Sequence, residues 1–554
     1  MRGDADASAG RRVGAGRLLV LAVLWGCGDS GGEAPPPREV PEAERYGGTV
    51  VLAGTAGIGT FNPAAANEDL DYQVQRNVVL MTLLRADASL EPRPYLAESW
   101  ELNSDSTEVV FRLRDDVRWH DGEPTTAADV AFTFGLVRSP ESQFPNAQWF
   151  EGWEGAEVVD PRTIRFAVRP RAGLLAGWTR LPILPRHLLG DADPATLATH
   201  PFGADPSGNG PFRFVEARGG DTWVFEANAE FPEALGGRPY IDRLVYRAVA
   251  EPATQLAELR AGGVHFVQRL SPAQVEQVRA EPGLEVIEYP SRAYGFIGWN
   301  GQRPMFQSAD IRRALTMAID RRAIVDAVRG GLGEVANGPV GPWHPAFEAG
   351  RDPLPYAPDS AAALLERAGW SDTDADGVRD RDGAAFRFRI VTSENPTYRD
   401  IAEIVQSQLS RVGVAVEVGG MEGASFIDAI LSPERRFDAF VLEWNPDFEV
   451  DDRQLFSCDA IGEAFQFASY CNRELEPVLD SIPMARSRED ANRLIREYTR
   501  IVGRDLPFTF LYFASDAAGV RRDLHGVELD IRGDLTGVTA WWLHPDARGD
   551  AAAP

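Results

Sequence analysis

Phe111-Arg112-Leu113-Arg114, continuing through Val117-Arg118-Trp119-His120-Asp121-Gly122-Glu123-Pro124 into Thr126-Ala127-Ala128-Asp129-Val130, is the passage on which the fold turns. Residues 109–114 are β-branched, apolar and aromatic positions interleaved with arginine, the pattern of a strand with one face buried. Asp121-Gly122 is a strong tight-turn signal. It puts His120 beside a carboxylate, but the turn chemistry accounts for that pair without a site. Thr126 is a natural N-cap for a helix running through residue 136.

Working outward, an ordered region is expected to begin at residues 46–48 and to enter a strand at 49–53. Ile311, Leu315, Ala318, Ile319 and Ile324 recur at helical spacing and read as one amphipathic helix. Ile401, Ile404, Val405, Leu409 and Val412 form one face of another helix; Gly413 stops it, and Val414, Val416 and Val418 alternate as the next strand. Helices followed by strands predict an α/β fold. At 554 residues the chain is too long for one core, so two or more lobes are expected. Pockets in such proteins form at strand ends and between lobes.

Composition narrows the function. Hydrophobic residues make up 44% and charged residues 25%, with a net charge of -27. That charge repels phosphate backbones, which argues against nucleic acid as a partner. The chain contains no lysine, so Schiff-base, P-loop and lysine-base chemistry are absent. Its seven histidines are scattered and form no HExxH or other metal spacing. The one GxSxG string, Gly28-Asp29-Ser30-Gly31-Gly32, lies in a glycine- and proline-rich stretch rather than at a strand-to-helix elbow, and the glycine-rich stretch 54–59 lacks a following lysine. An exported hydrolase with a carboxylate pair is the alternative from another class, but the chain offers no catalytic set for it. No enzymatic activity and no cofactor are expected.

Arg11, Arg12 and Arg17 precede an apolar run at 18–25, followed by Gly26-Cys27. The run is much shorter than the ~20 residues of a membrane-spanning helix and has the marks of an export signal. Leu24-Trp25-Gly26-Cys27 resembles a bacterial lipobox closing a lipoprotein signal over 1–27, which would make Cys27 a lipid-bearing N-terminus once the residues before it are removed. Residues 28–45, with Pro35-Pro36-Pro37, read as a flexible tether. The remaining cysteines, Cys458 and Cys471, are either a disulfide or two free thiols, and export favours the disulfide.

Together, Leu96-Ala97-Glu98-Ser99-Trp100, the opening passage, Gly208-Asn209-Gly210-Pro211-Phe212 and the run from Asp310 to Arg321 resemble the dipeptide- and oligopeptide-binding receptors of ABC importers, the bacterial extracellular solute-binding proteins of family 5. The resemblance implies an α/β, two-lobe periplasmic-binding-protein-like fold of the type II, large three-subdomain class. Lobe 1 would comprise 46–292 plus 514–546 and lobe 2 would comprise 293–513. Crossing strands near Tyr294 and Phe513 would form the hinge of an interlobe ligand cleft. It further implies a monomeric, periplasmic, lipid-anchored receptor that hands short peptides to membrane permease subunits. Oligosaccharides, opines and chelated nickel are the other solutes to weigh.

For the ligand site, Phe440 to Asp447 is an apolar strand ending in Trp444-Asn445-Pro446-Asp447. The resemblance implies that Asp447, three residues after Trp444, pairs with the ligand's α-ammonium, with Trp444 and Asn445 beside it. Arg292 is a candidate for a ligand carboxylate and Tyr294 for the cleft wall. Asp372, Asp374, Asp376 and Asp380 have the carboxylate spacing of an EF-hand loop, but Gly383 stands where the bidentate glutamate belongs. A solvated turn is therefore expected there, and no metal.

Overall fold

The computed structural model describes residues 40–142 and 144–548; the arginine-flanked apolar run, Cys27 and the tether up to residue 39 lie outside them. From β1 (Thr49–Gly54) and α1 (Asp69–Val74) the chain enters the passage quoted above. That passage supplies the end of β3 (Glu108–Leu113), which pairs with β2 (Ala97–Leu102), and the start of α2 (Ala127–Arg138). The Asp129 carboxylate accepts from the Thr126 backbone N–H at 2.8 Å and from its hydroxyl at 3.0 Å, fixing the helix start. Gly122 sits at φ +95°, a conformation that glycine adopts without strain.

β4 (Trp153–Asp160) and β5 (Thr163–Val168) complete a four-stranded sheet in the order β2-β3-β5-β4. Phe111, Phe134, Phe150, Trp153, Phe166 and Trp178 pack against it in mutual edge-to-face and tilted contacts. His120 belongs to this structural frame: its Nε2 lies 3.0 Å from the Gly210 carbonyl oxygen, and burial pushes its pKa down to about 4. Its peptide N–H meets the Gly208 carbonyl, while Gly208 lies against the Val79 carbonyl so closely that an added Cβ would come within 1.9 Å of it.

The larger sheet has eleven strands. Besides β1 it contains β6 (Phe212–Arg218), β7 (Thr222–Ala227), β8 (Arg243–Ala248), β9 (Phe266–Val267), β10 (Leu284–Trp299), β11 (Gly333–Val335), β12 (Arg387–Thr392), β13 (Ala415–Gly420), β14 (Ala439–Trp444) and β15 (Phe508–Arg521). The order is β13-β12-β14-β10-β15-β9-β1-β8-β7-β6, with β11 also pairing β15. β10 and β15, 16 and 14 residues long, run antiparallel along the middle. Pro290 pairs Ser515, and the next pair is Tyr294 with Phe513. Ser291, Arg292 and Ala293 therefore face a single residue and form a bulge.

The hydrophobic cores change at that bulge. Two of them draw on residues up to Tyr289 and from Ala517 onward, with Leu332 the exception. The other two draw on Ala293 to Ala514. We call these groups the outer and inner bodies. The inner body is built by α3 (Ala309–Ala318), α4 (Arg321–Arg329), α5 (Pro358–Arg367), α6 (Pro396–Ser410) and α7 (Arg488–Asp505) around β10 and β12–β15.

Two expectations need correction. The single amphipathic helix over 311–324 is two helices, because Ile319 is extended and the Asp320 side chain caps α4 by accepting from the Ala323 N–H at 3.0 Å. The end of the expected tether is docked rather than free: Tyr240 donates to Glu42, and Arg548 to the Glu44 carbonyl.

Candidate functional site

β14 is a central strand, bonded to β10 on one side and β12 on the other, with Ala439, Phe440 and Val441 buried. The chain leaves it at Trp444, and Asn445-Pro446-Asp447-Phe448 spans the gap between the bodies. On the outer body, Leu174, Trp178, Leu181, Ile183 and Leu184 are buried on either side of Arg180. This anchors a charged side chain at the rim of an apolar segment. Arg180 Nη1 donates to Asp447 Oδ1 at 2.5 Å, and Trp149 Nε1 donates to Oδ2 at 3.0 Å. The Phe448 N–H also donates to Oδ1, at 2.6 Å.

Burial raises the Asp447 pKa, but the Arg180 guanidinium, the Trp149 and Phe448 hydrogen bonds and nearby Arg292 outweigh it and hold the carboxyl below its usual range. It is ionised. An ionised carboxylate has about four acceptor positions, and these three donors leave one open on Oδ2. The Arg180 side chain is 7% exposed and the Asp447 side chain 41%. The exposed part of Asp447 faces two cavities, of about 840 Å³ and 720 Å³, whose linings share Trp149, Arg180, Asn445 and Asp447.

The wall combines charge and aromatic surface. The Arg180 guanidinium lies 4.9 Å from the centre of the Phe448 ring and 5.3 Å from that of Trp149; Arg292 lies 4.6 Å from Phe448. Arg180 Nη2 also approaches Glu449 at 3.7 Å, while burial keeps the Glu449 pKa raised. No histidine is among the residues lining either cavity.

The sequence candidates divide. Asp447, Asn445 and Arg292 line the larger cavity, and Trp444 lines the smaller one with its ring against Phe465 and Phe467. Arg292 donates to the Pro446 carbonyl oxygen at 2.9 Å. Tyr294 does not line the cleft. It is 2% exposed and packs on Phe296 and Phe510 within the inner body. Arg292 and Tyr294 would share a face of a regular strand, but the bulge interrupts the alternation and sends Tyr294 inward.

Asp372, Asp374 and Asp376 lie within 4.8 Å of one another and are exposed. Asp380 is turned onto Thr373 instead, accepting from its hydroxyl and its N–H. Cys458 and Cys471, on the inner body, are joined by a disulfide. Sequence reasoning missed Trp149, Arg180 and Phe448. The available signal was Arg180 itself, a lone charge inside the apolar stretch 174–184.

Residues 91–461 match the family described as "Bacterial extracellular solute-binding proteins, family 5 Middle". The chain is similar to the oligopeptide-binding protein AppA of Bacillus subtilis, 28% identical over 536 residues, which cover 95% of this chain and 97% of that one. It is also similar to the dipeptide-binding protein of Escherichia coli, 25% identical over 85% of this chain and 90% of that one. AppA solved with a nonapeptide superposes with a TM-score of 0.72 at 27% identity, covering 90% of this chain and 99% of AppA. NikZ of Campylobacter jejuni, solved with Ni(L-His), does so with 0.73 at 25% identity, covering 89% and 99%. The two-body α/β architecture, the bulged central strands and a match spanning two thirds of the sequence lead to one conclusion: the chain belongs to the bacterial extracellular solute-binding proteins of family 5.

Proposed function

We propose that the protein is the solute receptor of an ABC importer and captures short peptides in the cleft between its two bodies. The observation that carries this reading is Asp447, an ionised carboxylate with an open acceptor position facing both cavities. Such a group suits the α-ammonium of a peptide, and the aromatic rings of Trp149, Trp444 and Phe448 shelter the pair from water. Each cavity has the volume of an ordinary small-ligand site. Peptide binding by AppA and the E. coli protein supports the choice of ligand. The lack of histidine at the wall disfavours a nickel chelate, and nothing at the wall resembles a catalytic set. The protein binds its solute and releases it unchanged.

In this reading the outer and inner bodies act as two lobes, 46–292 with 514–546 and 293–513. They close by bending at the Ser291–Ala293 bulge, where β10 and β15 pass between them. Ligand contacts made only in the closed form shift the population toward it. Delivery is to membrane permease subunits, from a monomer held at the cell envelope through a lipid on Cys27. Among the described residues no helix is long and apolar enough to cross a membrane.

Native mass spectrometry of freshly purified protein tests the ligand. A co-purified peptide of roughly two to five residues, a size suited to cavities of this class, is the expected result. A bound sugar would overturn the peptide and leave the receptor.

A further inference from the structure

Away from the cleft, the inner body holds a cavity of about 340 Å³ that shares no lining residue with the two described above. One side of it is the segment Arg351-Asp352-Pro353-Leu354-Pro355, which belongs to no helix or strand. Pro353 and Pro355 have no N–H to give to a sheet. The segment is held by two of its carbonyls instead. Asn337 Nδ2 donates to that of Arg351 at 2.6 Å, and Arg321 Nη2 donates to that of Leu354. Arg321 and Phe510 line the same cavity from α4 and β15.

Arg321 stands out among the buried cations. A charge taken out of water needs a counter-charge or a full set of hydrogen-bond acceptors. Four of the described arginines are buried: Arg180, Arg312, Arg321 and Arg435. Arg180 has Asp447. Arg312 and Arg435 each make five hydrogen bonds to backbone carbonyl oxygens. Arg321, 5% exposed, makes three, to the carbonyls of Ala336, Phe510 and Leu354, and forms no ion pair with any described residue. A guanidinium carries five N–H donors, so its Nε–H and one Nη2–H are left without a partner among the described residues. Burial pushes its pKa down to about 10.

Arg351 adds a second charge to the same wall. It donates to the Thr499 carbonyl oxygen at 3.1 Å and to that of Asn337, and it too forms no ion pair with a described residue. Glu348 acts on it from a distance but is held by Arg500 at 2.7 Å. Asp352, the one acidic residue of the lining, is exposed and pairs with no described cation.

We infer that this cavity is a second binding site, for a small organic carboxylate whose head meets Arg321 and Arg351 and whose apolar body lies against Pro353, Pro355 and Phe510. The planar fork of a guanidinium fits a carboxylate in two parallel hydrogen bonds. The volume is at the lower end for small-ligand sites, which suits an acid of a few carbons rather than a peptide. The site stands whether or not the cleft takes peptides.

The test uses the full chain with butyrate and with butyramide, its neutral counterpart, at constant ionic strength. Butyrate is expected to raise the melting temperature by about 2 °C or more, as binding to the folded state alone requires, and butyramide to leave it unchanged. Arg351→Gln is expected to remove the difference. Equal shifts from the two compounds, or a shift with inorganic phosphate as large as that with butyrate, overturn the site. Crystals of the unsubstituted protein soaked in 4-bromobutyrate decide the matter if the variant does not fold. An anomalous bromine peak in the cavity beside Arg321 upholds the site, and a peak only in the cleft, or none, overturns it. A peak in the cavity with no effect on melting is binding at crystal concentration only and also overturns it.

Discussion

Arg180 and Asp447, 267 residues apart in sequence, meet at 2.5 Å across the cleft and join the outer body to the inner one. The arginine is buried and the carboxylate half-open to the cavities, so the two charges are unequally dependent on each other. Without Asp447, the one carboxylate Arg180 keeps among the described residues is the more distant Glu449, beside the Trp149 and Phe448 rings; without Arg180, Asp447 keeps two hydrogen bonds.

Arg180→Ala is therefore expected to raise the Asp447 pKa and to destabilise the protein by about 1–2 kcal/mol. That is below the 3–5 kcal/mol of a fully buried pair, because water in the cavity reaches Asp447. Urea denaturation of the variant beside the unsubstituted protein measures this, and an unchanged midpoint would mean the pair holds nothing together.

Asp452 gives a pH signature. It is buried, accepts from the Tyr498 hydroxyl at 2.5 Å, and burial pushes its pKa up to about 6 despite that hydrogen bond. The unfolded chain ionises this group near 4, whereas the folded protein keeps the proton until about 6. Its contribution is complete below pH ~4 and is lost as pH rises to ~6, about 3 kcal/mol at most. In Asp452→Asn the difference between stability at pH 4 and pH 7 should shrink by that amount, and denaturation at the two pH values checks it.

How much of this was legible in the sequence depends on the range of the interactions. The Thr126 cap, the Asp121-Gly122 turn and the strand ending at Trp444 are set by neighbours in sequence, and each lies where its local pattern points. Asp447 could be singled out because it follows directly from that strand and the family resemblance implies a carboxylate three residues after its tryptophan. Arg180 could not be assigned to it, since no local pattern encodes a partner 267 residues away. Tyr294 was misjudged for a related reason. Its side of the sheet depends on a bulge that exists only once β10 has paired with β15. The break at Ile319 was hidden because apolar spacing persists across Asp320, and only the capping geometry reveals it.

The Cys458–Cys471 disulfide closes a loop with a sequence separation of 13 residues. The chain-entropy account gives it roughly 3 kcal/mol. Cys458→Ser/Cys471→Ser should unfold at lower denaturant by that margin, and the unsubstituted protein should match it once reduced. Identical midpoints with and without reductant would show the crosslink to be energetically idle.

The most direct test of the central claim compares a tetrapeptide library with free amino termini against its N-acetylated counterpart, on the unsubstituted protein and on Asp447→Ala, read by native mass spectrometry. The account predicts that the unsubstituted protein prefers free amino termini. It also predicts that Asp447→Ala loses about 2–5 kcal/mol of that binding, the range for removing one partner of a buried charge pair. Equal retention of both libraries, unchanged by the substitution, would contradict Asp447 as the anchor of a peptide.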